Sequence, residues 1–170
     1  MSTLKRKVRP MNRISKIEYY LNIAEAVAQR GTCLRRKFGA VIVKDDRIVS
    51  TGYVGAPRGR INCCDRGTCF RMDNNIPSGQ RYELCRSIHA EMNAIINASK
   101  EEMFGAVMYL TGIENDGTYT KNANCCAMCK RVVINSGIKY VIVKTPDGFN
   151  QIDTSEWVTN DDSLSFHEGY

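Results

Sequence analysis

Three side chains in two short clusters could share one metal ion. His89-Ala90-Glu91 and Cys126-Ala127-Met128-Cys129 each stand where a loop gives way to a helical pattern. Residues three apart share a helix face, so the sulfurs of Cys126 and Cys129 can reach the same ion. The free N–H groups and dipole of a helix start also favour thiolate. With His89 as the third ligand, a tetrahedral zinc keeps one position open, as catalytic rather than closed structural sites do. Two thiolates cancel the charge of Zn2+, so the ion acidifies its water less than an all-histidine site would, and a nearby carboxylate becomes useful. Glu91, two residues past His89, is placed to take a proton from that water and deliver it to a leaving group. Either cluster alone has a bland reading, since a lone CxxC is as often a redox pair or half of a structural site. Their joint placement at two helix starts, with a strand between, selects the catalytic arrangement.

Elements must hold these groups. Ser15-Lys16-Ile17-Glu18 reads as a capping box, and Ile17, Tyr20, Leu21, Ala24, Val27 and Ala28 follow at helical spacing until Gly31. Residues 40–43 and 48–53 read as the strands of a hairpin, with Asp45 and Asp46 as its turn and not a metal pair. Residues 54–88 carry Gly, Pro, Arg and Cys without a period. A loop of that length is unusual in a compact domain unless something staples it. Residues 90–99 read as a helix with Met92, Ile95 and Ile96 inward, then 106–110 as a strand and 111–124 as a polar connection. Residues 126–136 read as a third helix closed by Gly137, 138–143 as a strand and 144–148 as a turn. The order β-β-α-β-α-β points to an α/β layered domain whose mixed sheet has parallel crossovers. The chain beyond gives a weak signal, with Ile152 and Trp157 expected to dock onto the body.

A length of 170 residues suits one domain, placed at 15–158. The net charge of +6 is concentrated in a basic arm, residues 1–14, through Lys5, Arg6, Lys7, Arg9 and Arg13. Without them the body is close to neutral, so no broad basic face for nucleic acid is expected. The arm reads as solvated or intersubunit, and residues 159–170 as a loose acidic tail. No apolar run approaches a membrane span, and no secretory signal is expected at the basic N-terminus. Eight cysteines then fit a cytoplasmic, reducing setting, as metal ligands rather than cross-links.

Together the two clusters resemble the zinc-dependent cytidine deaminase superfamily, with its H-x-E and P-C-x-x-C pattern. Gly39-Ala40-Val41-Ile42-Val43-Lys44, Thr51-Gly52-Tyr53-Val54-Gly55-Ala56-Pro57, Glu83-Leu84-Cys85 and the stretches 89–96 and 129–138 extend the resemblance to the deoxycytidylate (dCMP) deaminases, over residues 15–145. The resemblance implies a three-layer αβα fold with a mixed five-stranded sheet, and hydrolytic deamination of dCMP to dUMP for thymidylate synthesis. Carried over, His89, Cys126 and Cys129 hold the catalytic zinc and Glu91 shuttles protons at C4 of the cytosine. The base would rest against Ala40 and Val41, with the backbone near Ala90 in reach. A homo-oligomer, dimer or hexamer, is implied as well, with dCTP and dTTP as effectors and Mg2+ accompanying the effector nucleotide. The chain departs from the pattern at Cys125, where the family has proline, and at Val54, where it commonly has an asparagine expected to bond the sugar. Cys125 reads as a bystander because Cys126 and Cys129 keep the ligand spacing. The 111–125 connection is longer than the family's loop.

Relatives with a second zinc place cysteines where Cys33 and Cys63 stand here. Cys69 and Cys85 would complete a closed structural site stapling residues 54–88, with Cys64 as the alternative to Cys63. The bland alternative is that some of these are small buried residues. Arg58, Arg60, Arg71, Arg81 and Arg86 surround them; one or two could bind a 5′-phosphate, the rest being surface. Two other functions fit the same residues. One is a deaminase acting on another nucleoside, nucleotide or RNA base. The other is a non-catalytic zinc module binding nucleic acid or protein, for which Glu91 would be dispensable.

Overall fold

Alternation along the strands sets the layers. In the computed structural model, which describes residues 13–160, β1 (Arg36–Lys44) gives Ala40 and Ile42 to one hydrophobic cluster and Val41 and Val43 to another. Most of the expected basic arm and acidic tail lies outside the described residues. The order is α1 (Lys16–Ala28), β1, β2 (Arg47–Tyr53), α2 (Cys63–Arg66), α3 (Phe70–Asp73), a 3-10 turn at Tyr82–Leu84, α4 (Ala90–Ile96), α5 (Lys100–Met103), β3 (Val107–Glu114), α6 (Ala127–Ser136), β4 (Tyr140–Thr145), β5 (Gly148–Asp153) and α7 (Thr154–Thr159). The five-stranded sheet runs β2-β1-β3-β4-β5. Only β3 and β4 pair in parallel, so β2, β3 and β4 run one way and β1 and β5 the other. Both expected helical crossovers, β2 to β3 through α4 and β3 to β4 through α6, therefore join strands of the same direction.

Helices cover both faces. On one, Tyr20, Leu21 and Ala24 of α1 meet Val41, Val43, Tyr109 and Ile142. On the other, Ala90, Ala94, Cys129, Val133 and Trp157 meet Ala40, Ile42, Met108, Leu110, Val141 and Val143. Each fully buried Leu, Ile, Met or Val contributes about 1.5–3 kcal/mol of burial. Two glycines set how closely helices lie on the sheet. A Cβ on Gly39 would stand 2.2 Å from the Ala24 carbonyl of α1, and one on Gly52 would stand 2.2 Å from the Ala94 nitrogen of α4.

The capping box of α1 forms, Ser15 Oγ accepting from the Glu18 N–H at 3.1 Å and Glu18 accepting from the Ser15 N–H at 2.9 Å. Asp45 and Asp46 both take positive φ, 49° and 61°, as the twist-matched two-residue hairpin turn requires. Gly137 closes α6 at φ 79°.

Four local readings change. The helix read over 90–99 breaks at Ile96, because Ser99 and Glu102 make a second capping box that starts α5. Met92 and Ile95 pack against the core as expected, but Ile96 is 69% exposed; the buried positions are Ala90, Glu91 and Ala94, the two alanines fitting where α4 lies against Gly52. β3 runs to Glu114, since Arg36–Gly39 of β1 extends the pairing there. Residues 54–88 hold short helices rather than none. β5 was not legible as a strand: it is a polar edge strand with only half its pairing and little to bury. Ile152 packs against the core and Trp157 is buried, as expected.

Candidate active site

Two backbone features deliver the metal-type ligands. Gly55 and Ile88 exchange N–H···O bonds at 3.1 and 2.8 Å, which fixes the chain just before His89. His89 then takes the N-cap position of α4 in extended backbone, and its side chain makes no cap bond, so the ring is free to turn elsewhere. Cys126 holds the equivalent position on α6, also without a side-chain cap bond, and Cys129 lies one turn on. The helices pack side by side on one sheet face, so their starts converge.

His89 Nδ1 stands 3.4 Å from Cys126 Sγ and 3.3 Å from Cys129 Sγ. One ligand atom from each of the three lies within 4.8 Å of the others, and no other trio of His, Cys, Asp or Glu is gathered so among the described residues. Borderline-soft N and S donors at this spacing fit zinc. A hydrogen bond from the Cys129 thiol, opposed by burial and aided by His89, holds Cys126 far below the usual thiol range, at about 4. Burial pulls the His89 imidazolium down, but the Cys126 bond and the Glu91 charge outweigh it and the net shift is upward. Glu91 is 4% exposed, and burial raises its carboxyl against the pull of His89. Cys125 is also buried; burial first, then the Glu91 charge, pushes its thiol well up, and it stays outside the trio.

A cavity of about 320 Å³ opens beside the trio, within the size range of small-molecule sites. His89, Ala90, Glu91, Cys125 and Cys126 border it. Of the three residues expected near the base, Ala90 borders the cavity. Ala40 and Val41 do not: both are 0% exposed and packed under helices on opposite sheet faces. Phe38, nearer the open end of β1, and Val54 border the cavity instead. Of the five arginines among which one or two are expected at a 5′-phosphate, Arg71 alone borders the cavity and is 5% exposed; Arg35 and Arg36 border it as well. Phe38, Arg35, Arg36, Tyr82, Thr120 and Asn122 were missed because nothing in their local spacing marks them.

The other cysteines are only loosely assembled. Cys63 is buried, and its thiol is raised by burial first and then by its neighbours Cys69, Cys33 and Cys85. Cys64 is exposed. No three of these bring sulfurs within the spacing of the His89 trio. All eight cysteines are free thiols. No helix among the described residues is long and apolar enough to cross a membrane.

A layered α/β sheet with a His–Cys–Cys trio and a buried carboxylate at two helix starts defines a zinc-dependent hydrolytic class. Residues 14–145 match the model of the cytidine and deoxycytidylate deaminase zinc-binding region, and the chain belongs to that family. The deoxycytidylate deaminase of Mycobacterium phage D29 is 37% identical over 137 residues, covering 78% of this chain and 96% of that one. The deoxycytidylate deaminase of Schizosaccharomyces pombe is 31% identical over 127 residues, covering 75% of this chain but 36% of that one. Among solved structures, the dCMP deaminase of cyanophage S-TIM5 in apo form matches with a TM-score of 0.54 and 26% identity, over 76% of this chain and 82% of that one.

Proposed function

We propose that this protein deaminates dCMP hydrolytically to dUMP. The observation that carries the reading is Glu91, buried and bordering the same cavity as the His89–Cys126–Cys129 trio. His89, Cys126 and Cys129 would hold zinc, which when bound would supply a Lewis acid for the water that attacks C4. Glu91 takes the proton from that water. Glu91 gives that proton to the ring nitrogen, then carries the second, from the hydroxyl newly bonded to C4, to the departing amine, so that water enters and ammonia leaves. Phe38 and Val54 give the cavity apolar walls for the base, and the Ala90 backbone is within its lining. Arg35 puts positive charge on the same cavity, as a 5′-phosphate requires, whereas the Arg36 charge is already met by Glu114 at 2.9 Å.

The test is ammonia release from dCMP by the zinc-loaded protein and by Glu91→Gln. The variant is expected to keep its zinc and lose about 10²–10⁴-fold in rate. Equal rates, or no turnover of any cytosine nucleotide by the native chain, would instead favour a non-catalytic zinc module.

A second, structural zinc on Cys33, Cys63, Cys69 and Cys85 belongs to the same proposal, supported by the three cysteine neighbours of Cys63. Metal analysis of protein purified without chelator should give close to two zinc per chain by this reading; a firm value of one removes the site. Cytoplasmic location accords with eight free thiols. Assembly into a dimer or hexamer, and control by dCTP and dTTP with Mg2+, complete the reading; sedimentation with and without dCTP–Mg2+ tests both.

A further inference from the structure

Three buried side-chain atoms among the described residues have no hydrogen-bond partner: Arg71 Nε, Ser87 Oγ and Thr120 Oγ1. Folded proteins pair nearly all such atoms, so each exception needs a reason. Ser87 lies beside Cys63. Arg71 and Thr120 both border the cavity that holds His89 and Glu91.

Neither residue is loosely held. The Thr120 N–H donates to the Gly112 carbonyl at 3.0 Å, and its carbonyl accepts from Ala123 at 3.3 Å. The adjacent Tyr119 hydroxyl donates to Glu25 at 2.7 Å. A Cβ on Gly112 would stand 3.0 Å from Thr120 Oγ1 and 2.5 Å from the Phe38 ring, so the missing side chain makes room for hydroxyl and ring together. Thr120 is 6% exposed, and its hydroxyl is the one polar group this anchoring leaves without a partner. Arg71 is fixed by Nη2, which donates to the Pro77 carbonyl at 2.9 Å and the Gln80 carbonyl at 2.6 Å, and by the Tyr82 ring 4.5 Å below its guanidinium. No carboxylate lies within ion-pair distance of it among the described residues. A buried cation without a counter-ion is costly unless a ligand supplies one.

We propose that Arg71 and Thr120 are specificity-determining residues. The anionic group of the substrate answers the Arg71 charge, and a polar atom of its nucleoside pairs with the Thr120 hydroxyl. The proposal rests on the nucleotide-deaminase reading and extends it to two segments, α3 and the connection after β3, that supply no metal-type ligand. Arg71 then selects a nucleotide over a nucleoside, while Thr120 serves both.

The experiment measures kcat and KM for dCMP and for deoxycytidine, with zinc content and melting temperature, in the zinc-loaded protein and its Thr120→Val, Arg71→Lys and Arg71→Met variants. Thr120→Val is expected to raise KM for both substrates about 5- to 10-fold, as a lost hydrogen bond does, with zinc content unchanged and the melting temperature equal or higher. A lower melting temperature with unchanged KM makes the hydroxyl structural and overturns its assignment. Arg71→Met is expected to reduce kcat/KM about tenfold or more for dCMP relative to its effect on deoxycytidine, with Arg71→Lys intermediate. Equal losses on the two substrates reduce Arg71 to a clamp on residues 77–82 and overturn its assignment. If Arg71→Met does not fold, the lysine variant carries the same comparison. An inactive native protein sinks the deaminase reading, whereas an active one with indifferent variants sinks only this proposal.

Discussion

Glu91 and Cys125 show how differently two buried acids can serve beside one trio. Glu91 keeps the imidazole of His89 close, which tempers the burial that raises it. Cys125 meets burial and a negative neighbour, both of which keep it a neutral thiol. Its sulfur also lies outside the group that His89, Cys126 and Cys129 form within 4.8 Å of one another. Cys125→Ala should therefore leave zinc content unchanged at a stability cost of about 1 kcal/mol, while Cys126→Ala should lose the metal. Atomic absorption on the dialysed variants decides it; zinc lost from Cys125→Ala would put that sulfur in the coordination shell.

At the scale of elements, the site depends on how α4 sits on β2. Gly52 has no side chain, and the Ala90 carbonyl and Ala94 nitrogen occupy the place a Cβ would take, at 2.4 and 2.2 Å. Both are backbone atoms and cannot step aside, so Gly52→Ala must lift the helix whose first residues follow His89. Overpacking of this kind costs about 1–3 kcal/mol. The variant should melt lower and release zinc to a chelator faster than the native protein. A Gly52→Ala protein with native zinc retention would show that α4 positions His89 by some other contact. The same logic explains why the face of α4 that meets β2 is lined with alanine, while Ile96 at its end faces outward.

Across the whole molecule, surface carboxylates set the acid limit of the fold. The Ser15 N–H lowers Glu18, the Lys16 ammonium bond lowers Asp46, the Thr118 hydroxyl lowers Asp116 and the Ser155 hydroxyl lowers Asp153. A carboxyl depressed in the folded state stabilises it fully above the unfolded value and loses that contribution as pH falls through the folded one. Melting temperature should thus hold from neutrality to about pH 4 and fall below it. An Asp46→Asn, Asp116→Asn double variant should fall less steeply in melts between pH 4 and 2; an identical acid profile would assign the fall to other groups.

The amino-acid sequence by itself determined the metal-type trio, the buried carboxylate beside it and the helices that carry them. These depend on local spacing: i and i+3 on one helix, a single residue between His89 and Glu91, a cap before each apolar run. It determined the layers as well, because alternation and helical period are read within a few residues. Tertiary structure alone decided the cavity walls. Arg35 and Phe38 approach Arg71, Tyr82 and Thr120 only because β1 lies between β2 and β3, and the connection after β3 folds back over Gly112. Tertiary structure also moved Ala40 and Val41 out of the site, since helices cover both sheet faces at that point of β1. Contacts between residues so far apart in the chain leave no period in the sequence.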